Sequence, residues 1–422
     1  MSRSAGATDD PQHPPATPPI AGTTDSNMAP FDDLLTTFVA EHKIPGAAVA
    51  VARHGRLVYS RGFGYAEVET QTPVDPSALF RIASISKPVT AIAVLQLVEQ
   101  ERLGLDERAF DKLRDDPALE PYGTPDPQTA TITVRQLLQH TGGWDRDVSF
   151  DPMFRPIEIA RVLNTNPPAG PADVIRYMGG RPLDFKPGER HAYSNYGYCV
   201  LGRIIEKVSG RSYEEFVKEQ VLKPLGITRM QLGKTLRDGR AAGEVCYYEA
   251  DEHRGPAVVG PDLGKDVPLP YGAWHLEAMD AHGGWIASAV DLVRFASAFD
   301  DPERCPILKS AMIAEMFARP EGLAGHDAEG KPKPTYYGLG WSVRPQANRP
   351  GLNVWHTGSL DGTSTILVHR YDGLTWAILF NTRSSAAEKA PARLIDPLMH
   401  VAAGKVQVWP TGDALAEAFA KP

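Results

Sequence analysis

The strongest constraint on what this chain can fold into is a helix without a polar side. The stretch KPVTAIAVLQLVEQERLG (87–104) is apolar almost all round from Val89 to Val98. Such a helix must be covered on every side, so it belongs in the interior of a layered structure. No stretch of the chain approaches the roughly 18 apolar residues that a membrane span needs. Gly104 is a natural stop for the helix.

The flanking sequence supplies the cover. DDLLTTFVAEHKI, beginning just after Phe31, has helical spacing, with Leu34, Leu35, Phe38 and Val39 on one side. GAAVAVA (46–52) and RLVYSRGFGYAEV (56–68) read as two strands joined at a His54-Gly55 turn. Residues 105–280 are rich in Pro, Gly and short helical segments, at 134–141, 172–178, 196–210 and 213–226. Within them, 237–275 reads as a long irregular region carrying Tyr247, Tyr248, Tyr271 and Trp274. Structured loops of this kind shape binding sites, so 144–170 and 237–275 are expected to decide specificity.

Strand-like runs return at 337–344, 353–358, 363–371 and 374–382, and a helix over 385–404 closes the pattern. This order predicts an α/β (α+β) domain over 30–404, its α/β part made of 30–83 and 290–404. A mainly helical lobe, 84–289, is inserted between the two. Residues 1–29, polar and proline-rich, are expected to form a disordered tail, and 405–422 a C-terminal extension.

Composition narrows the function. The chain has 422 residues, 42% apolar and 23% charged, with a net charge of -8 spread along it, which is ordinary for a soluble enzyme. No basic cluster interleaved with aromatics marks a nucleic-acid face. Cys199, Cys246 and Cys305 are too few and too widely spaced for a disulfide framework or a zinc site. The first 22 residues lack the basic start and apolar run of a secretory signal, so a cytoplasmic location is expected. No G-x-S-x-G elbow, H-E-x-x-H helix, Walker loop or full G-x-G-x-x-G is present, and no metal or cofactor is expected. His140 and His282 are expected to satisfy local hydrogen bonds, and Trp144, Tyr248, Trp274 and Trp285 either to line a cleft or to fill the core.

Three segments carry chemistry. The buried helix opens with Ala83-Ser84-Ile85-Ser86-Lys87-Pro88. With Ser84 in the first turn, Lys87 at i+3 lies on the same face. Burial and the positive helix end both lower a lysine's pKa there, the condition for it to act as general base toward a serine hydroxyl. The unpaired N–H of Ser84 can hold a developing oxyanion.

The second segment is Tyr193-Ser194-Asn195. A tyrosine beside a lysine cation loses its proton more easily and can relay protons. Asn195 offers a donor and an acceptor to a substrate amide or to Lys87. The third is His356-Thr357-Gly358-Ser359 at the end of a strand-like run. Here Gly358 is expected to allow close approach of a ligand, the Ser359 N–H to supply a second oxyanion donor, and His356 to place a switchable charge near a substrate carboxylate or carbonyl.

These motifs, in this order and with separations of 109 and 163 residues, resemble the serine β-lactamase and penicillin-binding-protein superfamily. The likeness is closest to its class C branch, with DD-peptidase, family VIII-type esterase and amidase relatives. LLQHTGG (137–143), FKPGERHAYSNYGY (185–198), GGWIASAVDLVRF (283–295), YGLGWSV (337–343) and HTGSLDGT (356–363) are similar too. The resemblance implies an antiparallel sheet flanked by helices, with an active site between the sheet and the helical lobe.

It also implies an acyl-enzyme on Ser84, with Lys87 and Tyr193 sharing the proton handling. His356 stands where class C β-lactamases usually carry lysine, which argues against efficient β-lactam hydrolysis. The expected substrate is a carboxylic ester or small amide. A DD-carboxypeptidase or weak β-lactamase uses the same residues. A catalytically silent binding or scaffold member is the alternative of another class.

Overall fold

A computed structural model describes residues 18–23, 25–249, 253–387 and 389–412. The largest sheet is antiparallel. Its strands are β1 (Ile20–Ala21), β2 (Gly46–Arg53), β3 (Arg56–Glu67), β4 (Thr72–Pro73), β5 (Tyr336–Tyr337), β6 (Ser342–Pro345), β7 (Leu352–Leu360), β8 (Thr363–His369) and β9 (Leu374–Phe380), in the order β1-β3-β2-β9-β8-β7-β6-β5 with β4 on the end of β3. The chain thus leaves the sheet after β4 and returns at β5, so strands from its two ends pair directly: Ala48 lies opposite Leu379 and Ala50 opposite Ala377.

Alternation along the strands separates two cores, because successive side chains of a strand point to opposite faces. Ala47, Val49 and Val51 of β2 join Trp376, Ile378 and Phe380 of β9 on the face covered by α1 (Ala29–Glu41) and by a C-terminal helix, Pro391–Lys405. Ala48, Ala50 and Ala52, with Ala377 and Leu379, belong to the other core, which continues into the helical region. Small side chains on that face admit Ala289–Ser297 close against β2 and β9.

The helix of the opening pattern is α2 (Ser86–Glu99), and every residue from Ser86 to Leu97 is buried. It ends at Gln100, before Gly104, where the chain turns through Glu101 with φ 57°. Against it packs α3 (Asn195–Ser209), N-capped by the Ser194 hydroxyl and closed by Gly210 in the left-handed conformation. The predicted 213–226 helix is broken: Tyr213–Val217 is α-helical, Lys218–Leu222 a π-turn and Lys223–Leu225 a 3₁₀ turn, with Pro224 preventing regular continuation. The 337–344 run splits into two short strands around Gly338 and Gly340, which close a tight turn.

The expected tail needs correction in its second part. Residues 1–17 lie outside the described residues, but Ile20 and Ala21 pair with Phe63 and Gly62, and Met28 is buried against the sheet. Asp25 caps the short turn that follows. At the other end, helix Pro391–Lys405 reaches Lys405, and Trp409 packs on its core.

Candidate active site

Ser84 sits in a single 3₁₀ turn, Ala83–Ile85, that runs directly into α2. Ala83 has φ 47°, a left-handed conformation that costs a residue with a Cβ about 1–2 kcal/mol. The neighbourhood holds it there. The Ile82 N–H donates to the Trp285 carbonyl at 3.0 Å, the Ile82 carbonyl accepts from Thr365 Oγ1 at 3.0 Å, and the Ala83 carbonyl accepts from Ser86 Oγ at 2.7 Å.

One turn earlier, the side chain of Arg81 is 0% exposed. It donates to the carbonyls of Pro270, Lys234 and Thr235, and its guanidinium lies 4.3, 5.5 and 5.1 Å from the ring centres of Tyr247, Tyr271 and Trp274. This corrects the expectation for 237–275. Three of its four aromatics enclose a cation behind the Ser84 turn, and Tyr248 bonds Glu69. Trp144 and Trp285 likewise pack in the core, on Tyr196 and Tyr213.

Lys87 is 0% exposed, and its amine touches three oxygens: Ser84 Oγ at 3.1 Å, Asn195 Oδ1 at 2.7 Å and the His282 carbonyl at 2.9 Å. Burial holds its pKa well below the usual lysine range. Asp151 pulls it back up and Arg146 adds to the depression. Asn195 Oδ1 and the His282 carbonyl can only accept, so they take two N–H groups of the amine, and its third position points at Ser84 Oγ: an N–H in the ammonium form, the lone pair in the neutral form that burial favours.

Asn195 is fixed on its other side, its Nδ2 donating to Asp151 Oδ2 at 2.6 Å. Asp151 is otherwise the cap of the turn Pro152–Phe154, accepting from the Met153 N–H at 3.1 Å. Burial raises its pKa, against the hydrogen bonds from Asn195 and Met153 and the charges of Arg146 and Lys87. The structure therefore adds Asp151 to the predicted residues. Its only signal in the sequence was an Asp-Pro helix start within 144–170, which says cap and nothing more.

Tyr193 precedes the α3 cap and lies beside the same lysine, with Lys87 Nζ 4.7 Å from its ring centre. Its hydroxyl oxygen is buried and has no well-formed hydrogen bond. Burial raises its pKa, offset in part by Ser84 and Arg146. The expected ease of ionisation is thus reversed: burial outweighs the groups around Tyr193 that favour the phenolate, so it stays a phenol.

The third segment lies on β7. Partner strand β6 stops at Ser342 opposite Trp355, so from His356 onward that edge of β7 has no strand partner among the described residues. Ser359 is exposed there. Two expectations change. A Cβ on Gly358 would lie 2.1 Å from the Ile82 carbonyl oxygen, so the missing side chain makes room for the Ser84 turn rather than for a ligand. His356 is 4% exposed and carries no switchable charge. Its Nδ1 donates to the Thr357 carbonyl at 2.7 Å, its Nε2 accepts from the Tyr337 hydroxyl at 2.9 Å, and burial with nearby Lys87 pushes its pKa down to about 3.

Among the described residues no group of acidic, His or Cys side chains is arranged to hold a metal, and no helix is long and apolar enough to cross a membrane. The Ser194 N–H donates to His140 Nδ1 at 3.2 Å, while Nε2 of His140 and of His282 find no partner.

Residues 31–398 match the family described as beta-lactamase. The chain is 26% identical over 368 residues to protein flp of Staphylococcus aureus (strain N315), covering 87% of this chain and 65% of that protein's length. It is 26% identical over 364 residues to penicillin-binding protein 4* of Bacillus subtilis (strain 168), covering 86% and 73%. Among solved structures, the octameric penicillin-binding protein homologue from Pyrococcus abyssi superposes with a TM-score of 0.64 at 26% identity, covering 88% of this chain and 77% of that one. EstCE1, a hydrolase with promiscuous acyltransferase activity, gives 0.67 at 22% identity over 90% and 99%, and D-amino acid amidase from Ochrobactrum anthropi SV3 gives 0.67 at 20% over 91% and 99%. At those two identities the likeness speaks for the fold alone.

Proposed function

Because the chain belongs to the beta-lactamase family, we propose that it is a serine hydrolase that forms an acyl-enzyme on Ser84 and hydrolyses a carboxylic ester or small amide. The observation that carries this reading is the fully buried Lys87, its Nζ 3.1 Å from Ser84 Oγ and its pKa held well below the usual lysine range by burial, so that its neutral form can take the Ser84 proton. As Ser84 Oγ attacks the carbonyl carbon, its proton passes to Lys87 Nζ and the carbonyl electrons move onto the oxygen. The N–H groups of Ser84 and Ser359 hold that oxyanion.

Collapse expels the alcohol or amine, which takes a proton from the Tyr193 phenol. Tyr193 is reprotonated from Lys87, and the acyl group stays on Ser84. Water then enters the same sequence in place of Ser84, and the acid leaves. Asn195, clamped between Lys87 and Asp151, fixes the direction of the lysine N–H bonds. With His356 held neutral, the β7 edge presents no cation at that position, which argues against a β-lactam whose carboxylate would have to be met there.

The test is turnover of a short-chain p-nitrophenyl ester and of a chromogenic cephalosporin by the wild type and Ser84→Ala. Ester turnover that disappears in Ser84→Ala, with little cephalosporin cleavage, is the expected result. Ester turnover that survives the substitution would remove Ser84 as nucleophile. Fast cephalosporin hydrolysis would overturn the substrate assignment, and an unreactive wild type that a fluorophosphonate fails to label at Ser84 would make the chain a silent member.

A further inference from the structure

The cleft has a cation that the mechanism above does not use. Arg146 lies in the loop between the helix Val134–Leu138 and the Asp151 turn, and it is exposed. Its guanidinium stands 5.1 Å from the ring centre of Tyr193. Its charge reaches the buried groups of the site, acting on Lys87, Asp151, Tyr193 and His140. Arg146 has no carboxylate within ion-pair distance among the described residues. Its neighbour Asp145 is engaged elsewhere, with Arg190 at 2.7 Å.

A guanidinium held over an aromatic face keeps its in-plane N–H fork available for a planar anion. The two basic groups that the motifs supply are both buried with their pKa values pushed down, and both ring nitrogens of His356 are bonded inside the protein.

We propose that Arg146 is a specificity-determining residue that pairs with a carboxylate carried by the substrate, so that the preferred substrates are anionic esters or amides whose charged group lies beside the Tyr193 ring. This rests on the serine-hydrolase reading of the same site. A purely electrostatic role, in which Arg146 only depresses the Lys87 pKa, makes a different prediction. It would change the turnover of charged and neutral substrates by the same factor.

The experiment compares p-nitrophenyl hemiglutarate with the near-isosteric neutral p-nitrophenyl pentanoate. The readout is the ratio of their kcat/KM values in wild type, Arg146→Gln and Arg146→Lys. The ratio is expected to fall about 10-fold or more in Arg146→Gln, to recover in part in Arg146→Lys, which keeps the charge but not the fork, and to shrink with added salt in the wild type and in Arg146→Lys but not in Arg146→Gln. The two esters are also titrated calorimetrically into Ser84→Ala and into Ser84→Ala/Arg146→Gln. Preferential binding of the anionic ester that the second substitution removes gives the same reading without turnover.

A ratio and a binding preference that stay the same in Arg146→Gln overturn the proposal, whether turnover falls or not. Ester turnover that does not need Ser84, together with an Arg146-dependent binding preference, would sink the nucleophile assignment and leave the anion site standing.

Discussion

Gly358→Ala is the substitution through which the fold speaks most directly to the site. The added Cβ would lie 2.1 Å from the Ile82 carbonyl oxygen and 2.2 Å from Thr365 Oγ1, two atoms that are hydrogen-bonded to each other at 3.0 Å. Both separations are more than about 1 Å short of van der Waals contact. Neither neighbour is a free side-chain end. Ile82 is main chain two residues before Ser84, and Thr365 lies inside the sheet between β7 and β9.

Overpacking of this kind costs about 1–3 kcal/mol, and loss of the Thr365–Ile82 hydrogen bond about 1 kcal/mol more. With an unfolding entropy of about 2.1 cal/mol/K per residue over 422 residues, a total of about 3 kcal/mol lowers Tm by about 3–4 °C. The rate is more sensitive. Relief of the clash pushes the Ser84 turn off β7 by on the order of 1 Å, and misplacement of that size costs about 100-fold in kcat/KM. Calorimetry and ester kinetics on Gly358→Ala read the two effects, and Thr365→Val is the control: it removes the hydrogen bond without adding bulk, so Tm falls by only about 1 °C and the rate by much less. A Gly358→Ala protein within about 1 °C and about twofold of the wild type would show that the turn is not seated on the strand as described.

Asp151→Asn keeps the hydrogen bond from Asn195 and removes a negative charge that raises the Lys87 pKa, so the acid limb of kcat/KM, where Lys87 gains its inactivating proton, moves to lower pH. An unmoved limb in a pH–rate series would mean that Asp151 acts on Asn195 by position only. His356 and His369 are buried and neutral, with pKa values pushed down to about 3 and about 4 against about 6.5 in an unfolded chain. The unfolded chain therefore binds more protons below about pH 6.5, and stability is lost as pH falls through that window, at up to about 1.4 kcal/mol per pH unit for each histidine. The histidine contribution should lower Tm below about pH 6.5, less steeply in His369→Asn; an identical decline in that variant would shift the effect to other groups. Arg81→Met leaves its three carbonyl acceptors unpaired and opens the aromatic enclosure, so the Ser84 turn loosens and both Tm and fluorophosphonate labelling rate should drop; an unchanged labelling rate would show that the turn holds without it.

What could be read from the sequence was what repeats at fixed spacing. The short apolar runs 46–52 and 374–382 announced strands, and the structure divides their residues between its two cores. The all-apolar stretch from Val89 announced a central helix, and Ser84 and Lys87 are brought together because i and i+3 share a face of whatever helix forms there. Boundaries failed where a local event overrides the pattern, as at the π-turn before Pro224 and the positive φ of Glu101. The aromatics of 237–275 were misread for a different reason. Aromatic residues line a ligand cleft and enclose a buried cation with the same sequence signature, and only the fold shows that Arg81, more than 150 residues earlier, is the group they surround.

Charge states were the least legible, because they depend on the environment and not on the residue. Lysine beside tyrosine, and histidine on a strand end, read as a cation favouring a phenolate and as a titratable charge. The Tyr193 reading takes Lys87 as a cation although burial at the helix start is itself expected to lower that lysine's pKa, and the His356 reading assumes the solvation of a surface group. In the structure α2 is buried from its first residue and β7 is packed against Tyr337, so burial pushes down the pKa of both basic groups that the motifs supply. A neutral lysine can take a proton from Ser84, and a charged one cannot. In the proposed mechanism, the burial that suits Lys87 to act as base also works against its serving as a positive charge toward an anionic substrate. On that reading the charge comes from outside the motifs, and Arg146, exposed on an irregular loop with no period to announce it, is the cation that the fold places 5.1 Å from the Tyr193 ring.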